Sequence, residues 1–102
     1  MNKKPENCAT ISELRVEIDR IDAALVALLA ERTTFIDRAA EIKLVVGLPA
    51  RIPARVEQVV ANVRLLSETG FDPDKAEALW RELIEWSIRR EEAALAAKNA
   101  AE

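Results

Sequence analysis

Histidine and tyrosine are absent from this 102-residue chain, cysteine occurs once as Cys8, and glycine occurs only at Gly47 and Gly70. Without histidine there is no Ser–His or Cys–His catalytic pair, no imidazole acid/base chemistry and none of the usual zinc sites. A single thiol forms no internal disulfide, in keeping with a reducing compartment. Two isolated glycines supply neither a phosphate-cradling loop nor a dinucleotide fingerprint. Aromatic residues are limited to Phe35, Phe71, Trp80 and Trp86. The opening MNKKPENCATISELR carries no apolar stretch of the signal-peptide kind, and no apolar run approaches the ~20 residues of a membrane span. The chain is therefore expected to be cytoplasmic and away from membranes. With 15 basic against 18 acidic residues the net charge is −3. Dispersed cations without a stacking platform argue against nucleic-acid binding.

Half of the residues are apolar, enough for a core, and a composition rich in alanine and leucine favours an all-α domain. Residues 1–9 read as a polar arm, with Cys8 an incidental thiol, and 10–102 as one helical domain. Thr10 and Glu13 form a capping-box pattern that opens a first helix over Ile11–Val46. Gly47 and Pro49 close it, and Pro53 keeps the connection non-helical. A second helix is predicted from about Ala54 to Ser67, with Val56, Val59, Val60, Val63 and Leu66 facing inward, ended by Gly70. Asp72-Pro73 is an N-cap followed by a first-turn proline, predicting a third helix to about Lys98. Its apolar positions are Ala76, Leu79, Trp80, Leu83, Ile84, Trp86, Ile88, Ala94 and Leu95; both tryptophans read as packing residues.

The first helix is too long for the chain that carries it. Thirty-six residues at ~1.5 Å each give about 54 Å, whereas a domain of this size has a radius of gyration of about 13 Å. Its apolar stripe runs Ile11, Leu14, Ile18, Ile21, Leu25, Leu28, Phe35, Ala39, Ile42 and Val46. Two shorter helices cover that stripe only in part. A homodimer in which the long helices run antiparallel and cross is the economical solution.

Basic residues interrupt the same stripe. Arg32 occupies the position that completes the rhythm between Leu28 and Phe35, and Arg15 and Lys43 lie beside it. A guanidinium on a buried seam costs several kcal/mol unless an anion meets it. Arg15 and Lys43 are ~42 Å apart along one helix, so one small ligand within one chain cannot reach both. With the crossing near Leu25–Leu28, Arg15 of one chain comes beside Arg32 and Lys43 of the other, and two equivalent anion sites result.

Taken together, Leu14-Arg15, Ala30-Glu31-Arg32, Ile42-Lys43, Arg55, Ser87 and Glu91 resemble the all-helical chorismate mutases over roughly residues 10–95. The resemblance implies an intertwined helical dimer with two shared active sites. It also implies conversion of chorismate to prephenate without metal, cofactor or covalent intermediate. Carried over by position, Arg15 crosses from the partner protomer to one substrate carboxylate and Arg32 binds the other. Lys43 meets the ether oxygen and a carboxylate, Arg55 is a further site arginine, and Ser87 places a hydroxyl near a carboxylate. Glu91 stands where the family has a Gln or Glu that donates to the ether oxygen, which a glutamate does only when protonated. A concerted [3,3] shift needs orientation of a dianion and stabilisation of charge on the departing oxygen, and cations supply both.

Two positions depart from the mutase pattern. The family places acids where this chain has Ile52 and Val56, one of them directly after Arg55 to read the ring hydroxyl. An apolar residue after Arg55, the PENC stretch and the Asp19-Arg20-Ile21-Asp22 run resemble the isochorismate pyruvate-lyase subgroup, which releases pyruvate and leaves salicylate. Ser87 is mutase-like. The reading is thus a chorismate mutase, with isochorismate pyruvate-lyase as the alternative and a ring-substituted chorismate as another possible substrate. A non-catalytic dimerisation module is the alternative from a different class, with Arg32 paired to a carboxylate such as Glu31 or Asp37 of a neighbour. Each residue also has a plain reading. Arg15 suits an interhelical salt bridge, Lys43 a helix C-terminus, and Arg55 a first helical turn. Ser87 can bond its own backbone, and Glu91 can pair with Lys98 or, across an interface, with neighbours of Arg90. Arg20, Arg38, Arg51, Arg64, Arg81, Arg89 and Arg90 are assigned no role.

Overall fold

The computed structural model describes residues 2–101, and among them there are helices and turns but no strand. Three α-helices follow one another: α1 over Ile11–Val46, α2 over Pro53–Leu66 and α3 over Pro73–Ala101. The all-α class and the three-helix order expected from the sequence are both found. Among the described residues no helix is long and apolar enough to cross a membrane.

Local chemistry sets the ends of these helices. At the start of α1 the Glu13 amide donates to Thr10 Oγ1 at 3.1 Å. The return half of the capping box is displaced by one residue. Glu13 Oε2 accepts from the Ala9 amide at 3.2 Å and from Lys3 Nζ at 2.9 Å, so the lysine draws the carboxylate outward. At the other end Gly47 adopts φ 79°, and the amides of Gly47 and Leu48 both donate to the Lys43 carbonyl, at 2.8 and 2.9 Å. That left-handed residue is what glycine permits without strain. Pro53 opens α2, and Ile52 before it is extended at φ −122°, ψ 98°, as a residue preceding proline must be. The end of α2 tightens into a 3₁₀ turn over Ser67–Thr69, one residue sooner than expected. There the buried Ser67 hydroxyl donates to the Val63 carbonyl at 2.6 Å. Asp72 caps α3, accepting from the amides of Asp74 and Lys75. α3 itself continues past Lys98.

By packing the chain divides into two units, Met1–Thr34 and Phe35–Glu102. In the first, the described part of the arm contains a 3₁₀ turn at Pro5–Asn7. It is tied to α1 by Lys3, whose ammonium meets Glu13 and whose amide donates to Glu17. Cys8 is half-buried behind that turn, so the arm is more structured than a polar tail.

In the second unit, Ala50, Val60, Ile84 and Ile88 form the core, with Val56, Val59, Trp80 and Leu95 packed around them. Ion pairs between α2 and α3 surround this core, with Arg81 on Glu57 and Arg64 on Asp74 and Glu77. Three large apolar residues expected to pack are exposed: Leu66 at 70%, Trp86 at 49% and Leu79 at 43%. Trp86 instead lies under the Arg90 guanidinium, 5.7 Å from the ring centroid. α2 ends as Leu66 turns outward, and α3 carries apolar residues on more faces than α2 alone can cover.

The buried apolar residues described are Ala40, Ala50, Val60, Val63, Ala76, Ile84 and Ile88. Leucine and the aromatics are missing from that set, which makes a thin core for a chain that is half apolar. The α1 stripe explains where the rest went. Ile11, Ile18, Ile21, Leu25, Leu28, Phe35 and Ile42 are all exposed on the single chain. Arg32 is accordingly half-buried rather than sealed into a seam; covering the stripe is what would desolvate it.

Candidate active site

Lys43 lies in the last turn of α1, where a cation is favoured by the carbonyl end of the helix dipole. Its ammonium donates to the Ala50 carbonyl at 2.8 Å and to Glu91 Oε2 at 3.1 Å. The side chains of the pair are only 17% and 5% exposed. A carboxylate this deeply buried requires a hydrogen-bonded counter-charge, and Lys43 is it. Within the chain Glu91 meets Lys43 and not Lys98, the in-chain partner considered from the sequence. Arg90 forms a two-bonded pair with Asp37, at 2.6 and 3.0 Å.

Ser87 is buried one helical turn before Glu91 on α3, so the two share a face. Its hydroxyl donates to the Leu83 carbonyl at 2.9 Å, the back-bonding open to a serine within a helix. Rotation of that hydroxyl would free it for another acceptor.

Arg55 stands in the first turn of α2 and is exposed. The helix dipole there favours anions over cations, so it does not favour an arginine at this position. Its guanidinium donates to Gln58 Oε1, a neutral partner, at 2.6 Å. The seven arginines assigned no role behave differently. Arg20, Arg38, Arg51, Arg64, Arg81, Arg89 and Arg90 each lie within ion-pair distance of a carboxylate. Arg15, exposed, and Arg32, half-buried, belong to the first unit, on α1.

The structure thus brings Lys43 and Glu91 into contact and sets Ser87 on the face of Glu91. It keeps Arg55 on a neutral neighbour and distributes Arg15 and Arg32 along α1. The sequence reading missed the Ala50 carbonyl. Only the two prolines that bracket it, Pro49 and Pro53, hinted that this connection is fixed. Val56 is half-buried against the core and Ile52 is half-buried at the start of α2. Neither offers a polar group to a ring hydroxyl.

Chemically, the arrangement presents an ammonium with three donors, two of them engaged. The third can meet an anionic or ether oxygen in a poorly hydrated setting, where such a bond is strong.

Residues 14–92 match the family described as Chorismate mutase type II, a span containing all six candidate site residues. An isochorismate pyruvate lyase of Pseudomonas aeruginosa is 30% identical over 89 residues, covering 84% of this chain and 85% of that protein. A chorismate mutase of Methanocaldococcus jannaschii is 33% identical over 76 residues, covering 74% of this chain and 77% of the relative. A bifunctional chorismate mutase/prephenate dehydratase of Aquifex aeolicus is 36% identical over 78 residues, 72% of this chain but only 22% of that protein.

Proposed function

The chain belongs to the chorismate mutase type II family, and from that premise we propose that it rearranges chorismate to prephenate in sites shared between two copies of the chain. The observation that carries this reading is the Lys43–Glu91 pair, which sets a shielded ammonium beside a buried carboxyl group.

In this reaction an enol-ether C–O bond breaks as a C–C bond forms within one molecule, and no nucleophile or base takes part. The protein must hold the substrate dianion in a folded conformation and stabilise electron density gathering on the ether oxygen. Arg32 and, from the partner protomer, Arg15 bind the two carboxylates and so restrict the substrate to reactive geometries. Lys43 directs its remaining donor at the ether oxygen. Glu91, when protonated, donates to that same oxygen. Arg55 adds positive potential at the N-terminus of α2, and Ser87 offers its hydroxyl to a carboxylate. The exposed stripe on α1 supports the dimer, because a single chain leaves it in water at a cost of about 25 cal/mol per Å².

A second reading rests on Ile52 and Val56. With apolar side chains where an acid would read the ring hydroxyl, the site suits isochorismate, which carries that hydroxyl elsewhere, and the activity becomes elimination of pyruvate to leave salicylate. The 30% identity to an isochorismate pyruvate lyase supports it.

Incubation of the purified protein with chorismate and with isochorismate, separately, distinguishes these. Loss of chorismate absorbance with prephenate formation supports the mutase, and salicylate fluorescence from isochorismate supports the lyase. Turnover of neither leaves a helical dimerisation module. Arg32→Ala is expected to lower kcat/KM by about 100-fold or more in either enzyme.

A further inference from the structure

The connection between α1 and α2 holds Lys43 at both ends. Its first residues, Gly47 and Leu48, donate to the Lys43 carbonyl, and Ala50 accepts from the Lys43 ammonium. The accepting carbonyl belongs to the peptide unit between Ala50 and Arg51, so its direction depends on how those two residues are anchored. The Ala50 methyl is buried in the core with Val60, Ile84 and Ile88. On the other side, Arg51 reaches across to α3 and donates to Glu85 Oε1 at 2.5 Å. Arg51 holds the Glu85 carboxyl below its ordinary range. Prolines at 49 and 53 leave this stretch few alternative conformations, so a single ion pair suffices to select one.

We propose that Arg51 is a positioning residue for the reaction: by latching the α1–α2 connection to Glu85 on α3, it aims the Ala50 carbonyl at Lys43 and fixes where the ammonium stands. The proposal rests on the catalytic reading of Lys43. Glu91 and the Ala50 carbonyl divide the ammonium's donors and leave the third for substrate. With the carbonyl turned away, the ammonium closes onto Glu91, and the donor meant for the ether oxygen is misdirected. Binding by the arginines is untouched, so the loss falls on kcat rather than KM. Arg51 is absent from the residues carried over by family resemblance, and its exposure gives it the look of an ordinary surface cation.

The test compares Arg51→Met with wild type by the ¹³C shift of the Ala50 carbonyl in isotopically labelled protein, and by steady-state kinetics. Lys43→Met supplies the shift of a carbonyl that has lost its donor. Arg81→Met, which removes an exposed α2–α3 ion pair away from the connection, is the control. In Arg51→Met the Ala50 shift is expected to move at least halfway to the Lys43→Met value. Its kcat is expected to fall about 10-fold with KM changed less than 3-fold. Arg51→Lys is expected to retain half of wild-type kcat, and Arg81→Met all of it. An Ala50 shift unmoved in Arg51→Met overturns the latch, as does a loss of kcat equalled by Arg81→Met. Wild-type protein that turns over neither substrate while the Ala50 shift responds overturns the functional reading and the positioning role built on it, leaving only the latch as geometry.

Discussion

Lys43 Nζ and Glu91 Oε2 stand 3.1 Å apart, joining the last turn of α1 to α3 across 48 residues of sequence. Breaking this pair from one side strands a charge, whereas removing both sides does not, and that asymmetry separates structure from catalysis. Lys43→Met leaves Glu91 buried without its counter-charge, and is expected to lower stability by about 3 kcal/mol. Adding Glu91→Met should restore most of that stability in denaturant melts. Activity should follow the opposite logic. Lys43→Met is expected to cost about 100- to 1,000-fold in kcat, and the double variant should recover none of it.

The proposed donation from Glu91 to the ether oxygen needs a hydrogen on its side chain. Glu91→Gln, whose amide carries one, is expected to keep kcat within about 10-fold of wild type, whereas Glu91→Leu should lose about 100-fold or more. Equal rates for the two variants would remove Glu91 from this role.

Asp37 accepts two bonds from Arg90, and the guanidinium holds its carboxyl below the ordinary aspartate range. The folded chain thus binds fewer protons at Asp37 than the unfolded chain between the two pKa values, so stability rises with pH across that window. The contribution is present above the ordinary aspartate pKa of about 4 and lost as pH falls through the lower, folded value. Thermal melts of Asp37→Asn and wild type should converge as acid is added. Because both side chains are near half exposed, the difference at neutral pH should shrink in high salt.

Much of this architecture is legible in short-range chemistry. Thr10, Gly47, Pro53, Gly70 and Asp72 act on their immediate neighbours, so the helix ends they set fall within a few residues of where the sequence places them. The partner of Glu91 is different. Lys43 is remote in sequence, and nothing local distinguishes it from Lys98 as a counter-ion. Leu66, Leu79 and Trp86 are exposed for a related reason: periodicity reports which face is apolar, not what covers it. The Ala50 carbonyl carried no side-chain signal at all. The proposed roles of Arg15 and Arg32 lie further out, since they call on a second chain, and the observation that supports one is the exposure of Ile11, Ile18, Ile21, Leu25 and Leu28.

The shared site is tested most directly by mixing Arg15→Ala and Arg32→Ala protein, each nearly inactive alone, and allowing subunits to exchange. In a mixed dimer one site receives both substitutions and the other receives neither. Equal mixing should therefore restore roughly a quarter of the wild-type rate, the statistical share of intact sites in a two-fold dimer. A mixture no more active than the two variants measured separately would contradict an active site built from both chains.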